Sequence, residues 1–360
     1  MQAELESLLQ TISISTDQLE SLRQASIGDS RGLEQIEYSL VMLYKAMITI
    51  DPELGVSKAR KSEDGSIKSS MRTGYSTSDV GSMRVLQEKK DVYQNESAQF
   101  LQRLKSFLQI QFAAALDETR KALDREKNGQ IGRSSVKVRL DARNHDLARA
   151  MLWKYHPLML FSREVDRFAW EDFIKTYEFV CKGLYQSEFQ DAVASWQRLA
   201  RKPSGDEGDL LFTAQQEKQA EGLATTARKL TVKRSQTLAK SLRSPIGDGN
   251  GKVDKLSDGR LHPYEVFTSI LDEIVPIVMM EQNFIVEFFH LSSLEQHDFP
   301  EVVALSPPGS RRGSDLRKNT VMEPQRGLAR QVVQVMEDIY AFLPSDLQRL
   351  VDQSIRADSL

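Results

Sequence analysis

The sequence predicts an all-α chain: N-terminal coiled-coil helices, then one or more elongated helical bundles, with long disordered loops between them. Three observations carry this. Leu33, Ile36, Leu40, Leu43 and Met47 alternate spacings of three and four, the seam of a helix packed against other helices. Between Trp153 and Trp196, a stretch that holds all three tryptophans, Phe161, Phe168, Phe173, Tyr177, Phe179, Tyr185 and Phe189 recur at helical distances around Trp170. Nowhere do β-branched residues alternate over a strand's length.

Residues 1–50 read as coiled-coil assembly helices. Leu5, Leu9, Ile12, Thr16 and Leu19 open the heptad pattern, Gly28-Asp29-Ser30 interrupts it, and the seam resumes at Leu33. A helix packed on its own domain would show the same spacing. The stripe is narrow, however, with little other apolar surface beside it, and this favours partner helices. Leu33, Ile36, Leu40, Leu43 and Met47 are therefore the candidate partner-binding residues. On that reading, Leu40→Asp with Leu43→Asp weakens partner binding and leaves the bundle folded.

Asp51-Pro52 ends the helix, because the residue before a proline is driven out of the helical region. Residues 51–83, rich in Ser, Gly, Lys and Asp, read as a flexible linker. Residues 84–201 form a helical bundle with the aromatic core. Its first helix runs from about Arg84 to Lys127 on an apolar face of Leu86, Tyr93, Phe100, Leu104, Leu108 and Phe112, and Asn128-Gly129 stops it. After a loop over 129–140, Pro157 divides the core: a helix to Tyr155, another from Pro157, and a longer one from Asp166 to about Ala200.

Residues 202–262 read as a disordered basic loop, with a weak helix around Phe212 to Leu230. Residues 263–360 continue the bundle, interrupted by a polar loop near 297–323. Pro263 suits a first helical turn and Pro276 should kink the helix that follows.

Composition excludes several classes. The 360 residues are 40% apolar and 28% charged, with a net charge of −3, so nothing pulls the whole chain toward nucleic acid. One cysteine, Cys181, excludes an internal disulfide framework and fits a reducing compartment; its apolar neighbours make it a buried structural thiol. The N-terminus lacks a basic-then-apolar signal segment. The most apolar run, Ile270 to Phe289, is broken by Asp272, Glu273, Glu281 and Glu287 and cannot span a membrane. The chain reads as soluble and cytoplasmic.

No catalytic site, cofactor site or metal site can be assembled. Neither glycine-rich nucleotide loop is present, and there is no sign of a small-molecule substrate. His290 and His297 lie near Glu287, Glu295 and Asp298 without metal-ligand spacing. Asp248-Gly-Asn250-Gly-Lys252 fails as a calcium loop at Lys252, Val253 and Gly259. One local feature stands out: Arg228, Lys229, Lys233, Arg234, Lys240 and Arg243 lie in a stretch with no acidic residue. The bland reading is a solvated loop. The sharper one is a patch drawn to an anionic membrane surface or governed by phosphorylation at Thr231, Ser235, Thr237 or Ser241, and at Ser314 behind Arg311-Arg312. Without aromatic side chains to stack on bases, nucleic acid is not its partner.

The blocks LWKYHPLMLFSREVDRFAWEDFIKTYE, QDAVASWQRLARKPSGDE, EGLATTARKLTVKRSQTLAKSLRSP, DGRLHPYEVFTSILDEI and MEQNFIVEFFHLSSLEQHDFP closely resemble the Sec-three subunit of the exocyst in its filamentous-fungal form. The N-terminal heptads resemble the end of that subunit's coiled-coil region. The resemblance implies a rod of stacked helical bundles in an eight-subunit tether that holds secretory vesicles at the plasma membrane, at sites of polarised secretion, before fusion. It implies no enzymatic activity, and other exocyst subunits as partners through helix packing. The family also carries a pleckstrin-like domain that nothing here matches, and further bundles past Leu360. The resemblance therefore implies a partial chain, to which lipid and GTPase binding are not carried over.

Overall fold

A computed structural model describes residues 12–51, 54, 84–129, 139–199, 261, 263–294, 297–313 and 323–358. The fold is all-α, with ten α-helices and one 3₁₀ turn among these residues and no strand. The basic stretch 227–243, the Asp248–Lys252 loop, the weak helix expected over 212–230 and most of the linker lie outside the described residues.

Local chemistry sets the first boundaries. Helix α1 (Thr16–Gln24) starts in a capping box, in which Ser15 Oγ accepts from the Gln18 amide while the Gln18 side chain accepts from the Ser15 amide. Helix α2 (Ser30–Ile50) is capped by Asp29, which accepts from Gly32 N–H at 3.4 Å. The turn between them is tight. A Cβ at position 32 would lie 2.1 Å from the Ser26 carbonyl oxygen, so only glycine fits. Helix α3 (Arg84–Gly129) runs 46 residues and buries Leu86, Tyr93, Phe100, Leu104, Leu108 and Phe112, the face expected from its spacing. It holds the α1–α2 pair by its polar side chains. The Tyr93 hydroxyl donates to the Ile12 carbonyl, and Arg103 donates to those of Leu22 (2.6 Å) and Ala25.

The aromatic stretch begins with the 3₁₀ turn Ala142–His145 and α4 (Asp146–Trp153), followed by α5 (His156–Val165) and α6 (Arg167–Leu199). Pro157 sits in the first turn of α5, where a missing N–H leaves no bond unmade. Asp166 starts α6 by accepting from the amides of Phe168 (3.0 Å) and Ala169 (3.1 Å). Helix α7 (Pro263–Phe288) continues through Pro276. Helices α8 (Phe299–Leu305), α9 (Arg326–Ile339) and α10 (Leu343–Asp358) complete the order.

The chain divides into two compact units: Met1–Val193 with Leu271–Leu343, and Ala194–Ile270 with Pro344–Leu360. The second buries Trp196, Val266, Ile270 and Leu350. The first holds the aromatic core. Tyr177 meets Phe112, Phe284 and Phe289 at centroid distances of 5.2, 5.7 and 5.6 Å. A second file of edge contacts, Phe100–Phe161–Phe299–Tyr44, ties α3, α5, α8 and α2 together.

Three expectations need correction. Phe168 and Phe179 are 86% and 84% exposed, not core: the inner face of α6 is already filled by Trp170, Phe173, Tyr177 and Tyr185, and both phenylalanines fall on its opposite side. The polar loop expected near 297–323 contains α8, started by a capping box between Asp298 and Glu301, and buries Phe299. The α2 seam is filled from within the chain: Leu33, Ile36, Leu40, Leu43 and Met47 are at most 3% exposed.

Trp170 is 2% exposed and its indole N–H donates to the Phe289 carbonyl at 2.9 Å. Trp170→Ala should cost about 3–5 kcal/mol, while Phe179→Ala should stay within about 0.5 kcal/mol. Urea denaturation of both variants checks this; equal losses would mean that the wrong face of α6 has been taken as buried. Leu40→Asp with Leu43→Asp, by burying two carboxylates without partners, should abolish cooperative unfolding of the first unit rather than spare it.

Candidate functional site

Helix α2, singled out by its heptad spacing, is held in the first unit by polar contacts as well as apolar ones. Beyond its apolar seam it carries Glu37, 1% exposed. Burying a carboxylate without a partner is prohibitive, and the partner comes from far along the chain. Arg311 donates to both Glu37 oxygens, Nη1 to Oε1 at 2.6 Å and Nη2 to Oε2 at 2.8 Å. The same guanidinium donates to the Lys154 carbonyl at 2.7 Å and, through Nε, to Ser306 at 2.8 Å. The planar fork of arginine is thereby used almost completely. Burial raises the Glu37 carboxyl above its ordinary value, and Arg311 works against that rise. Two residues on, a Cβ at Gly313 would meet Ala150 Cβ at 2.8 Å, so this stretch lies flush on α4. Arg311 is thus a structural clamp, unavailable as a phosphate neighbour for Ser314.

A second polar centre lies inside the aromatic core. Glu281, 1% exposed, accepts from the Tyr177 hydroxyl (2.5 Å), the Tyr185 hydroxyl (2.6 Å) and Arg149 Nη2 (3.1 Å). Burial pushes the phenols of Tyr177 and Tyr185 and the thiol of Cys181 well above their ordinary values, so all three stay protonated at neutral pH. His145 stacks on Tyr185 and bonds Glu188 at 3.0 Å. The hydroxyls of Tyr177 and Tyr185 and the Arg149 guanidinium converge on Glu281, and the whole network is buried. Chemically it is a keystone of folding. Among the described residues no group of histidine, cysteine and carboxylate side chains could hold a metal ion. No described helix is long and apolar enough to cross a membrane.

The described histidines make contacts within the chain. His290 adopts φ 56° and its Nε2 lies 2.8 Å from the His156 carbonyl oxygen, while His297 pairs with Glu301 at 3.2 Å. His156, beside Trp153 and His290, has no partner for its Nδ1.

Sequence reasoning missed Glu37, Arg149, Glu281 and Arg311. A signal existed for Glu281. Ile274, Ile277, Glu281, Phe284 and Phe288 keep the spacing of three and four, so the acid occupies a core position of the α7 stripe. Nothing local marks Arg311, whose partner lies 274 residues away.

The two ends of this arrangement match known families. The model for Exocyst complex component Sec3, coiled-coil, matches residues 1–49, and that for Exocyst complex component Sec3, C-terminal, matches residues 288–360. Together the two matches support an exocyst Sec3 subunit. No curated protein and no solved structure matches the chain. The clamp joins the two matched regions, since Glu37 lies in the first and Arg311 in the second.

Arg311→Ala leaves Glu37 buried and unpaired and should cost about 3–5 kcal/mol, measured by denaturant unfolding; Glu37→Gln in the same background should recover part of it. The acid side of the stability profile has its own signature. Burial, with His290 and Arg311 nearby, holds His156 well below its ordinary 6.5. The unfolded chain therefore binds more protons as pH falls below about 6.5, and stability is lost in that direction. His156→Gln should shrink the fall in melting temperature between about pH 7 and pH 5; an unchanged fall would exclude His156 as its source.

Proposed function

We propose that this chain is a non-catalytic exocyst subunit that tethers secretory vesicles to the plasma membrane before fusion, acting through helical protein–protein surfaces. The observation that carries this is the union of its two Sec3-matched regions by the buried Glu37–Arg311 pair. A tether must transmit position over distance. A helix that begins as an isolated coiled-coil strand would bend at its root, whereas α2 is set into the bundle by its seam, by the aromatic file through Tyr44 and by a bidentate ion pair.

The seam residues Leu33, Ile36, Leu40, Leu43 and Met47 then serve assembly indirectly. They fix the helix, and its outer side around Tyr38, 58% exposed, is what a neighbouring exocyst subunit would meet. Buried networks at Glu281 and Glu188 fit a scaffold, because the Tyr177 and Tyr185 hydroxyls and the His145 ring are bonded to carboxylates within the helical core.

The test is capture from cells. The tagged full chain should bring down other exocyst subunits in near-stoichiometric amounts, identified by mass spectrometry, and removal of the chain should leave secretory vesicles accumulated beneath the plasma membrane. Absence of every other subunit from the eluate would overturn membership of the tether. An unchanged vesicle count would overturn the tethering role.

A further inference from the structure

Helix α6 carries a face that the other described residues leave uncovered. Phe168 and Phe179 are 86% and 84% exposed, far beyond the glancing exposure common for apolar side chains. They stand about three turns apart, in phase on one side of the helix, roughly 16 Å along its axis. Each offers about 150–250 Å² of aromatic surface, so together they approach the size of patches that mark interaction sites.

The residues between and beside them have a definite sign. Lys175 and Lys182 are exposed on the same side, and Lys182 has no acidic partner among the described residues. The acids nearby are already matched: Glu171 by Arg167 at 3.0 Å, and Asp172 by Lys105 at 2.5 Å. Glu178, at the edge, is half-buried toward Asp338, and burial and that aspartate push its carboxyl up to about 7. The face is therefore apolar with a positive bias.

One turn beyond Phe179 comes Gly183, exposed in mid-helix. A Cβ there would meet nothing within 4 Å, so no described neighbour requires the glycine, although it costs the helix about 0.5–1 kcal/mol relative to alanine. A missing side chain on a free face makes a notch that lets a second helix come close.

We infer that the face of α6 formed by Phe168, Lys175, Phe179, Lys182 and Gly183 docks an amphipathic helix with acidic flanks belonging to another exocyst subunit. This rests on the exocyst reading above. Two aromatic anchors at that spacing suit a helix laid along α6, the lysines suit carboxylates at its rim, and the notch suits close approach of its backbone.

The experiment places p-benzoyl-phenylalanine at position 168 or 179 of the tagged full chain in cells, irradiates, and sequences the crosslinked peptide. The expected product is an acidic helical segment of another exocyst subunit. Phe168→Glu with Phe179→Glu should lower recovery of that subunit by about tenfold or more, as removal of two interface anchors does, while the melting temperature stays unchanged. Lys175→Glu with Lys182→Glu should lower recovery and flatten its dependence on salt. A crosslink to a second copy of this chain, no crosslink at all, or full recovery with the glutamate variant overturns the inference while leaving exocyst membership intact. Failure of the unaltered chain to recover any exocyst subunit overturns both.

Discussion

A carboxylate that never meets water has to be surrounded by donors, and much of the first unit is arranged to surround one. Glu281 draws a guanidinium from α4 and two hydroxyls from α6 onto α7. None of these groups can leave without stranding the others in a dry interior, where an unpaired charge costs several kcal/mol. The aromatic rings packed round the centre supply the low dielectric that makes the hydrogen bonds strong. The polar centre in turn fixes which way those rings face. Apolar packing alone would tolerate a helix sliding by a turn. A carboxylate with three partners would not.

The same logic repeats at the edge of the unit. Arg311 reaches Glu37 from a stretch with almost no regular structure and holds α2 where its seam would otherwise only attract it. Hydrophobic burial supplies attraction and buried ion pairs supply register, and this chain uses the two together inside its core and at the edge of it. An assembly component benefits from that division, because the surface it shows to neighbours keeps its shape only as well as the helices behind it keep theirs.

The class of fold was legible in the sequence because helical periodicity is local. The apolar face of α3 and the break at Pro157 follow from residues a few positions apart. Which of two faces turns inward is not local. The aromatic stretch between Trp153 and Trp196 has rings on both sides of α6, and the ring count alone could not show that Phe168 and Phe179 point away from Trp170. The α2 seam posed the same problem at greater range: its spacing announced a helical partner, and that partner proved to be the rest of the chain. Helix α8 was hidden in a polar, proline-rich stretch because its signal is a capping box over one short apolar run. Arg311 was illegible in principle, since no window of sequence contains both it and Glu37.

That last separation bears on the order in which the molecule is made. Residue 311 leaves the ribosome after another 274 residues have followed Glu37, about 15–55 s of synthesis at about 5–20 residues per second. Through that interval α2 exists with its leucine seam but without its clamp. Synthesis thus leaves α2 for a short period with its apolar contacts but without its ion pair, and the emergence of one arginine completes the set.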